Sequence, residues 1–508
     1  MGVAMKQKFR PPGMRRRDMD KKKLPPKPLQ NEMPGKIQGP VIVSQDPVNR
    51  RTHCPHRRNG GQITKIPQMP NLVGLTQPGH DGNGQIPMGV GNNRNMEESF
   101  QFSVFSFQAD FRGIVDLGLS LNLSIEHRKL KTLSPMWKTA HEHVLRLIAY
   151  EPGKPVEELA REMGLRPSDI VKLASNENPL GPSPLAIAAM RDALERAHFY
   201  PDGGGWALRN AIAEKLDLHR ENVLLGNGSN EIIEFIGHAF LRPGDEVVTA
   251  RHAFAVYTLM SQLFGATTVE VPDPGYTHDL EAMLAAISPR TRQVFIANPN
   301  NPTGTLVGQD ALDRFMDQVP EHVLVIFDEA YHEFLENPPD TLKFVREGRN
   351  VLVMRTFSKI QGLANLRIGY GLTTKEIAEV LQKTRQPFNA NGIAQAGALA
   401  GLDDEEHMRK TRELTHEGRA LLEKEFAAMG LEYVPSAANF VLVRVGDGDK
   451  VFAHLLKRGL IVRAMRSYKM PEWIRVSVGT MEQNQRFLTE FKELDAAGLI
   501  ERSDSATS

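Results

Sequence analysis

From about Trp137 onward, short apolar runs alternate with segments of helical periodicity, and nothing else in the chain restricts its fold so strongly. "PSPLAIAAMRDALERAHF" and "GWALRNAIAEKLDL" repeat their apolar residues at helical spacing. "ENVLLGNGSNEIIEFIGHAFL" reads as a short strand, a glycine-rich turn and a helix. The alternation continues through "GDEVVTA" and "AVYTLMSQLFGA", "TTVEVP" and "DLEAMLAAI", "TRQVFIANP" and "QDALDRFMDQV", and ends on the strands "VLVIFDEAY" and "NVLVMRTFS". These strands are apolar without interruption, so both of their faces need cover. The pattern predicts an α/β fold, a large domain whose mainly parallel sheet is sandwiched by helices. After about Gly392 come a long charged helix, "EEHMRKTRELTHEGRALLEKEFAAMG", and the segments "NFVLVRV", "KVFAHLLKRG", "LIVRAM" and "WIRVSVGT", which predict a smaller C-terminal α/β domain. The expected division is an extension over 1–135, an arm and part of the small domain over 136–185, the large domain over 186–392 and the small domain over 393–508.

The first hundred residues are of another kind. They carry basic clusters ("MRRRDMDKKK", "RRTHCPHRR"), proline-rich text ("LPPKPLQ") and glycine- and asparagine-rich text ("GHDGNGQIPMGVGNNRN"). Apolar residues repeat there at neither period, so the segment buries too little to offset its ordering entropy and is expected to be largely disordered. Glu98–Ile125 is more apolar and reads as a strand pair or an amphipathic patch. A targeting peptide and a basic nucleic-acid arm are the functional readings of this extension. A flexible tail, or a start codon placed upstream of Met136, is the plainer one. No apolar stretch follows the basic residues as a secretory signal requires. The net charge of +1 gives no general attraction to nucleic acid or membranes. No apolar run approaches the roughly 18 residues of a membrane span. The single cysteine, Cys54, permits no intrachain disulfide and no cysteine-based metal site, which suits a reducing compartment.

In a parallel α/β sheet, chemistry gathers at the carboxyl ends of the strands. "GNGSNEIIEF" puts a small-residue turn at a helix start, where the amides of Ser229, Asn230 and Glu231 suit an anion. A plain turn capped by Ser229 explains the same residues. "ANPNNPTG" places Asn301 after a strand, among residues that also make ordinary turns. Asp328 follows an apolar strand, where a carboxylate needs a partner or its pKa rises. Tyr331 is three residues on. In "MRTFSKIQGLANLRIGYG", Lys359 follows another strand end, with Thr356 and Ser358 before it and Arg367 after it. An amine in a partly dry pocket has a lowered pKa and can form a Schiff base. Each residue alone has an ordinary explanation, a helix cap for Asp328 and a surface position for Lys359. Together they form the set that pyridoxal phosphate requires: amides, hydroxyls and a cation for the phosphate, a carboxylate for the ring nitrogen and a lysine for the aldehyde.

The segments "KLASNENPLGPSP", "YPDGGGWALRNAIA", "GNGSNEIIEF", "ANPNNPTG", "DEAYHEF", "TFSKIQGLANLRIGYG" and "WIRVSVGT", in this order, resemble the fold-type-I pyridoxal-phosphate aminotransferases, and within them the histidinol-phosphate aminotransferases. The resemblance implies that Lys359 bonds the cofactor and moves the proton, and that Asp328 faces the ring nitrogen. Tyr331 and Asn301 would bond the ring oxygen, and Phe254 would stack on the ring. Ser229, Asn230, Thr356, Ser358 and Arg367 would hold the phosphate, with Tyr200 reaching the cofactor of a second subunit in a homodimer. Arg475 would clamp the substrate carboxylate, Arg463 the substrate phosphate, and Asn176 would also line the substrate site. The implied reaction is transamination between histidinol phosphate and 2-oxoglutarate, in histidine biosynthesis in the cytoplasm, with small molecules as the only other partners, and neither nucleic acid nor membrane. Residues 1–135 have no counterpart in this pattern, and Leu180 and Phe254 stand where several relatives carry aromatic or tyrosine residues. An aromatic amino-acid aminotransferase shares nearly all of these motifs, and decarboxylation on the same fold is a further alternative. A pyridoxal-phosphate-binding regulator is the reading from another class, but the basic arm has no helix-turn-helix pattern.

Overall fold

The computed structural model describes residues 139–149 and 153–502. The expectations for residues 1–135, including Glu98–Ile125, lie outside them, as do Met136 and Cys54. In chain order the strands of the main body are β1 (Val171–Lys172), β2 (Val223–Gly226), β3 (Glu246–Ala250), β4 (Thr267–Val271), β5 (Thr291–Ala297), β6 (Leu324–Asp328), β7 (Val351–Thr356) and β8 (Gly369–Thr373). Seven of them form one sheet in the order β2-β8-β7-β6-β5-β3-β4. Neighbours from β4 to β7 run parallel, and β8 alone is inserted antiparallel between β2 and β7. The expected mainly parallel, helix-covered sheet is therefore present.

Why the strands are apolar on both faces is visible in the packing. One face carries Val223, Val294, Ile296, Val325, Phe327, Val351 and Val353. The opposite face carries Leu224, Val247, Phe295, Ile326, Leu352 and Met354. Helix Ser229–Phe240 covers this second face with Ile232, Ile233, Phe235 and Ile236. Its N-cap is Gly228 at φ 80°, with no side-chain cap, so Ser229 is not the capping residue. A glycine cap costs only a few tenths of a kcal/mol against serine. Each fully buried isoleucine contributes about 1.5–3 kcal/mol, so packing decides this helix.

Register aligns the strand ends. Ala297 lies beside Asp328, and Asp328 beside Met354. Thr356 faces Gly369, which in turn faces Gly226. The carboxyl ends of β5, β6 and β7 thus share one edge with the start of β8.

Helix Gly392–Leu402 packs on helices Pro184–Leu194 and Trp206–Lys215. It places Ala394, Ala398 and Leu402 in the core of the large sheet. At Gly397 a Cβ would stand 2.9 Å from the Met190 side chain, so small residues set this close approach. A boundary at residue 392 would cut this helix from the core it builds.

The second core follows helix Glu405–Ala428. Strands β9 (Tyr433–Val434), β10 (Phe440–Arg444), β12 (Arg463–Ala464) and β13 (Trp473–Ser477) form an antiparallel sheet in the order β12-β13-β10-β9, while β11 (Leu460–Ile461) pairs in parallel with β1. Leu422 and Phe426 of the long helix and Phe487 and Phe491 of helix Met481–Ala496 cover Val441, Val443, Ile474 and Val476. Among the described residues no helix is long and apolar enough to cross a membrane.

Candidate active site

The strand ends open into a cavity of about 210 Å³. Its walls include Lys359, Asp328, Tyr331, Ser229, Asn230, Phe254, Asn301, Thr356, Ser358, Arg367, Arg475, Arg463 and Asn176. Of the residues to which the resemblance gives a site role, all but Tyr200 are there; Glu231, whose amide was grouped with those of Ser229 and Asn230, is not on the wall. The Tyr200 side chain is 82% exposed and stacks on Phe388, with ring centroids 4.8 Å apart. Within its own chain Tyr200 takes no part in the cavity.

Lys359 sits just past β7, where the strand turns at Phe357 and Ser358. Its Nζ donates to the Ser175 carbonyl at 3.0 Å and lies 5.8 Å from the centre of the Tyr331 ring. Burial, and then the Arg475 charge, lower its pKa to about 8. The residue keeps some exposed surface, although its amine is enclosed.

Asp328 closes β6. Its Oδ2 accepts from the Tyr257 hydroxyl at 2.6 Å, and its Oδ1 accepts from the Ala330 amide at 3.2 Å. Burial raises its pKa, and these two bonds oppose that rise. The partner is thus a phenol rather than a cation. Tyr257 was not singled out from the sequence, since "AVYTLM" reads as one more apolar helix face.

Tyr331 accepts a hydrogen bond from Asn176 Nδ2 at 2.9 Å, and burial pushes its hydroxyl up to about 12. Asn176 adopts φ 54° and is held by Ser477 and Asn439 from the second core. Asn301 turns its carbonyl oxygen to Arg475 Nη1. Arg475 is buried on β13, and its Nη2 donates to the Ala174 carbonyl at 2.9 Å. Its guanidinium lies 5.1 Å over the Phe440 ring, and its Nε is buried with no hydrogen-bond partner. Arg463 pairs directly across from Arg475 in the β12–β13 ladder. Tyr468, also missed in the sequence reading, completes this side of the wall.

At the other end the helix start of Ser229 meets Arg367. A Cβ on Gly228 would stand 2.5 Å from Arg367 Nη2, and one on Gly369 would stand 2.6 Å from the Ser229 nitrogen. Only glycines let guanidinium and helix amides approach one point. Arg367 itself is in the left-handed region at φ 55°. Thr356 Oγ1 accepts from the Ser358 amide at 3.1 Å, which folds both hydroxyl residues around the strand end.

The donor set fits pyridoxal phosphate. Helix amides, hydroxyls and a cation converge at one end, a buried carboxylate and an enclosed amine lie between, and an unsatisfied arginine nitrogen stands at the other end. Among the described residues no group of three or more His, Cys, Asp or Glu could hold a metal ion.

The sequence model for aminotransferase class I and II matches residues 168–491. A histidinol-phosphate aminotransferase of Akkermansia muciniphila is 57% identical over 356 residues, which cover 70% of this chain and 98% of the relative. One from Pseudomonas fluorescens, histidinol-phosphate aminotransferase 2, is 51% identical, covering 71% and 98%. Among solved structures, histidinol-phosphate aminotransferase from Sinorhizobium meliloti in complex with pyridoxal-5'-phosphate superposes with a TM-score of 0.65 at 26% identity, over 72% of this chain and 99% of the other. Aspartate aminotransferase from Thermus thermophilus with maleate gives 0.61 at 25% identity, over 70% and 99%. With its mainly parallel sheet, its strand-end cavity and these relatives, the chain belongs to the class I and II aminotransferases.

Proposed function

We propose that the protein is a pyridoxal-phosphate-dependent transaminase that moves the amino group between histidinol phosphate and 2-oxoglutarate, in histidine biosynthesis. The observation that carries this reading is one cavity lined by an enclosed amine, Lys359, and by two strand-paired arginines, Arg475 and Arg463. When bound, pyridoxal phosphate supplies an aldehyde for amines and a ring that accepts the electrons left behind when a proton leaves the substrate α-carbon. Lys359 would hold the aldehyde in the resting enzyme, and its amine, freed when the substrate amine displaces it, would take up that α-proton. A pKa near 8 leaves a useful fraction of neutral amine at neutral pH, which an ordinary lysine lacks.

Ser229 and Asn230 amides, Thr356, Ser358 and Arg367 hold the cofactor phosphate. Asp328 would face the ring nitrogen, Tyr331 and Asn301 the ring oxygen, and Phe254 would cover a ring face. Arg475 takes the substrate carboxylate, and its unpartnered buried Nε supports this role. For the substrate phosphate the residue is Arg463, with Asn176 beside the substrate. A cation pair set for two anions suits a substrate that carries phosphate at one end. The exposed aromatic residues Phe199, Tyr200, Trp206 and Phe388 favour a homodimer in which Tyr200 serves a second copy. We place this small-molecule enzyme in the cytoplasm.

The test offers histidinol phosphate, phenylalanine and tyrosine separately to the pyridoxal form and compares kcat/KM. Histidinol phosphate should lead, and Arg463→Gln should lower its kcat/KM about 10- to 100-fold, the worth of a charge-assisted hydrogen bond, with little effect on phenylalanine. A wild-type preference for phenylalanine would replace the proposal with the aromatic reading. Lys359→Ala should lose the adduct that borohydride traps; its retention would refute the lysine assignment.

A further inference from the structure

Tyr257 is fully buried, at 0% exposure, on helix Ala255–Leu263, whose N-cap is Phe254. Its ring lies parallel to Phe295 of β5 at 4.3 Å and meets Phe254 edge-on at 5.6 Å. Phenylalanine would make both ring contacts and would bury no hydroxyl. The hydroxyl therefore needs its own account, and its single proton goes to Asp328 Oδ2 at 2.6 Å.

We infer that Tyr257 is a positioning residue for the transamination: it fixes the plane of the Asp328 carboxylate and keeps that carboxylate ionised toward the cofactor ring, while its ring edge sets Phe254. The inference rests on the reading of Asp328 as the partner of the ring nitrogen. Two donors approach Asp328 on separate oxygens, Tyr257 on Oδ2 and the Ala330 amide on Oδ1. Together they stop rotation of the carboxylate while each oxygen keeps a lone pair. Both of these donors are neutral, a phenol and a backbone amide. The charged groups acting on Asp328 are Glu329 beside it, which disfavours ionisation, and Lys359 beyond β7, which favours it. Burial works against its charge, so a neutral donor at 2.6 Å carries much of what a cation would otherwise supply. The same helix carries Phe254 and Tyr257 three residues apart, with the Tyr257 amide bonded to the Phe254 carbonyl at 3.0 Å. One short helix start thus places the candidate ring cover and the group that orients the candidate ring-nitrogen partner.

The test uses full-length Tyr257→Phe, Asp328→Asn and the double variant. Pyridoxal phosphate affinity of the apoprotein, the pH dependence of cofactor retention, and kcat and KM of both half-reactions are measured. Tyr257→Phe should weaken cofactor binding about tenfold, the size expected for a hydrogen bond to a charged group. Its kcat should fall about tenfold, with KM changing less than about twofold. The acid limb of cofactor retention should move to higher pH, which loss of packing alone would not produce. In the Asp328→Asn background, Tyr257→Phe should add less than about a twofold effect. If Asp328→Asn weakens cofactor binding but Tyr257→Phe does not, or if Tyr257→Phe acts equally in the double variant, the inference fails while Asp328 keeps its role. Wild-type cofactor binding by Asp328→Asn would overturn both.

Discussion

Asp328 and Glu329 are adjacent in the chain, both acidic, and only 7% and 2% exposed, yet the fold treats them in opposite ways. Glu329 turns away from the cavity to Arg355 on β7, whose Nε donates to its Oε2 at 2.8 Å, while Thr341 binds the other oxygen. Burial works against the Arg355 charge, and Glu329, together with Tyr370 and Glu333, more than restores it. Asp328 turns toward the cavity and receives a phenol and one amide. The carboxylate behind the strand ends is matched by the protein itself. The one in front is oriented but short of positive charge. A buried group left with that capacity, at a cavity, is suited to a ligand, which is the role proposed for Asp328. The contrast separates structural from functional acid more sharply than burial does.

The largest break in this comparison is Arg355→Met. It leaves Glu329 buried without its cation and should cost about 3–5 kcal/mol of stability in chemical denaturation. Arg355→Met with Glu329→Met should recover most of that loss; if it does not, the site depends on the charges for more than their pairing.

Glu333 gives an intermediate effect. Its Oε2 is buried without a hydrogen-bond partner, near Glu329, Arg355 and Arg412, and burial raises its pKa from 4.5 to about 7. The folded form therefore binds this proton more tightly than the unfolded chain does. Its stabilising contribution is fully present below about 4.5 and is lost as pH rises through about 7. Glu333→Gln should flatten the decline of stability with pH across that window, and an unchanged slope would assign the decline to other groups.

Asp328→Asn in the apoprotein should have the smallest effect on stability. The raised pKa means that ionised Asp328 opposes folding above that pKa, so the sign is opposite to that of Arg355→Met. At neutral pH the variant should be as stable as wild type or more stable, within about 1 kcal/mol. A loss of more than about 2 kcal/mol would make Asp328 a structural acid like its neighbour.

Most of the candidate site was legible because its residues stand where a local pattern stops. Lys359, Asp328 and Arg475 are charges at the end of, or within, apolar strands. Ser229 and Asn230 open a helix behind glycines. Thr356, Ser358 and Arg367 lie within a few residues of Lys359, whereas the roles of Phe254 and Arg475 come only from the family resemblance. Tyr257 gave no such signal: in the middle of an apolar helix face its hydroxyl is indistinguishable from packing until Asp328, 71 residues away, is set against it. Tyr468 was hidden similarly in "RSYKM". The core that helix Gly392–Leu402 joins is hidden for a related reason, since its small residues show no strong periodicity and its packing on Met190, Leu366 and Ala186 appears only in the fold.

What the amino-acid order dictates here is local: where apolar runs begin and end, where glycine permits close approach, and so the α/β class and the edge at which charges would gather. The antiparallel insertion of β8, the division of Asp328 from Glu329, the pairing of Arg463 with Arg475 and the bond from Tyr257 arose only in three dimensions. Periodicity is a property of neighbours within one element, whereas a hydrogen bond between two elements depends on the register and facing of both. Those are set by burying both faces of the sheet at once.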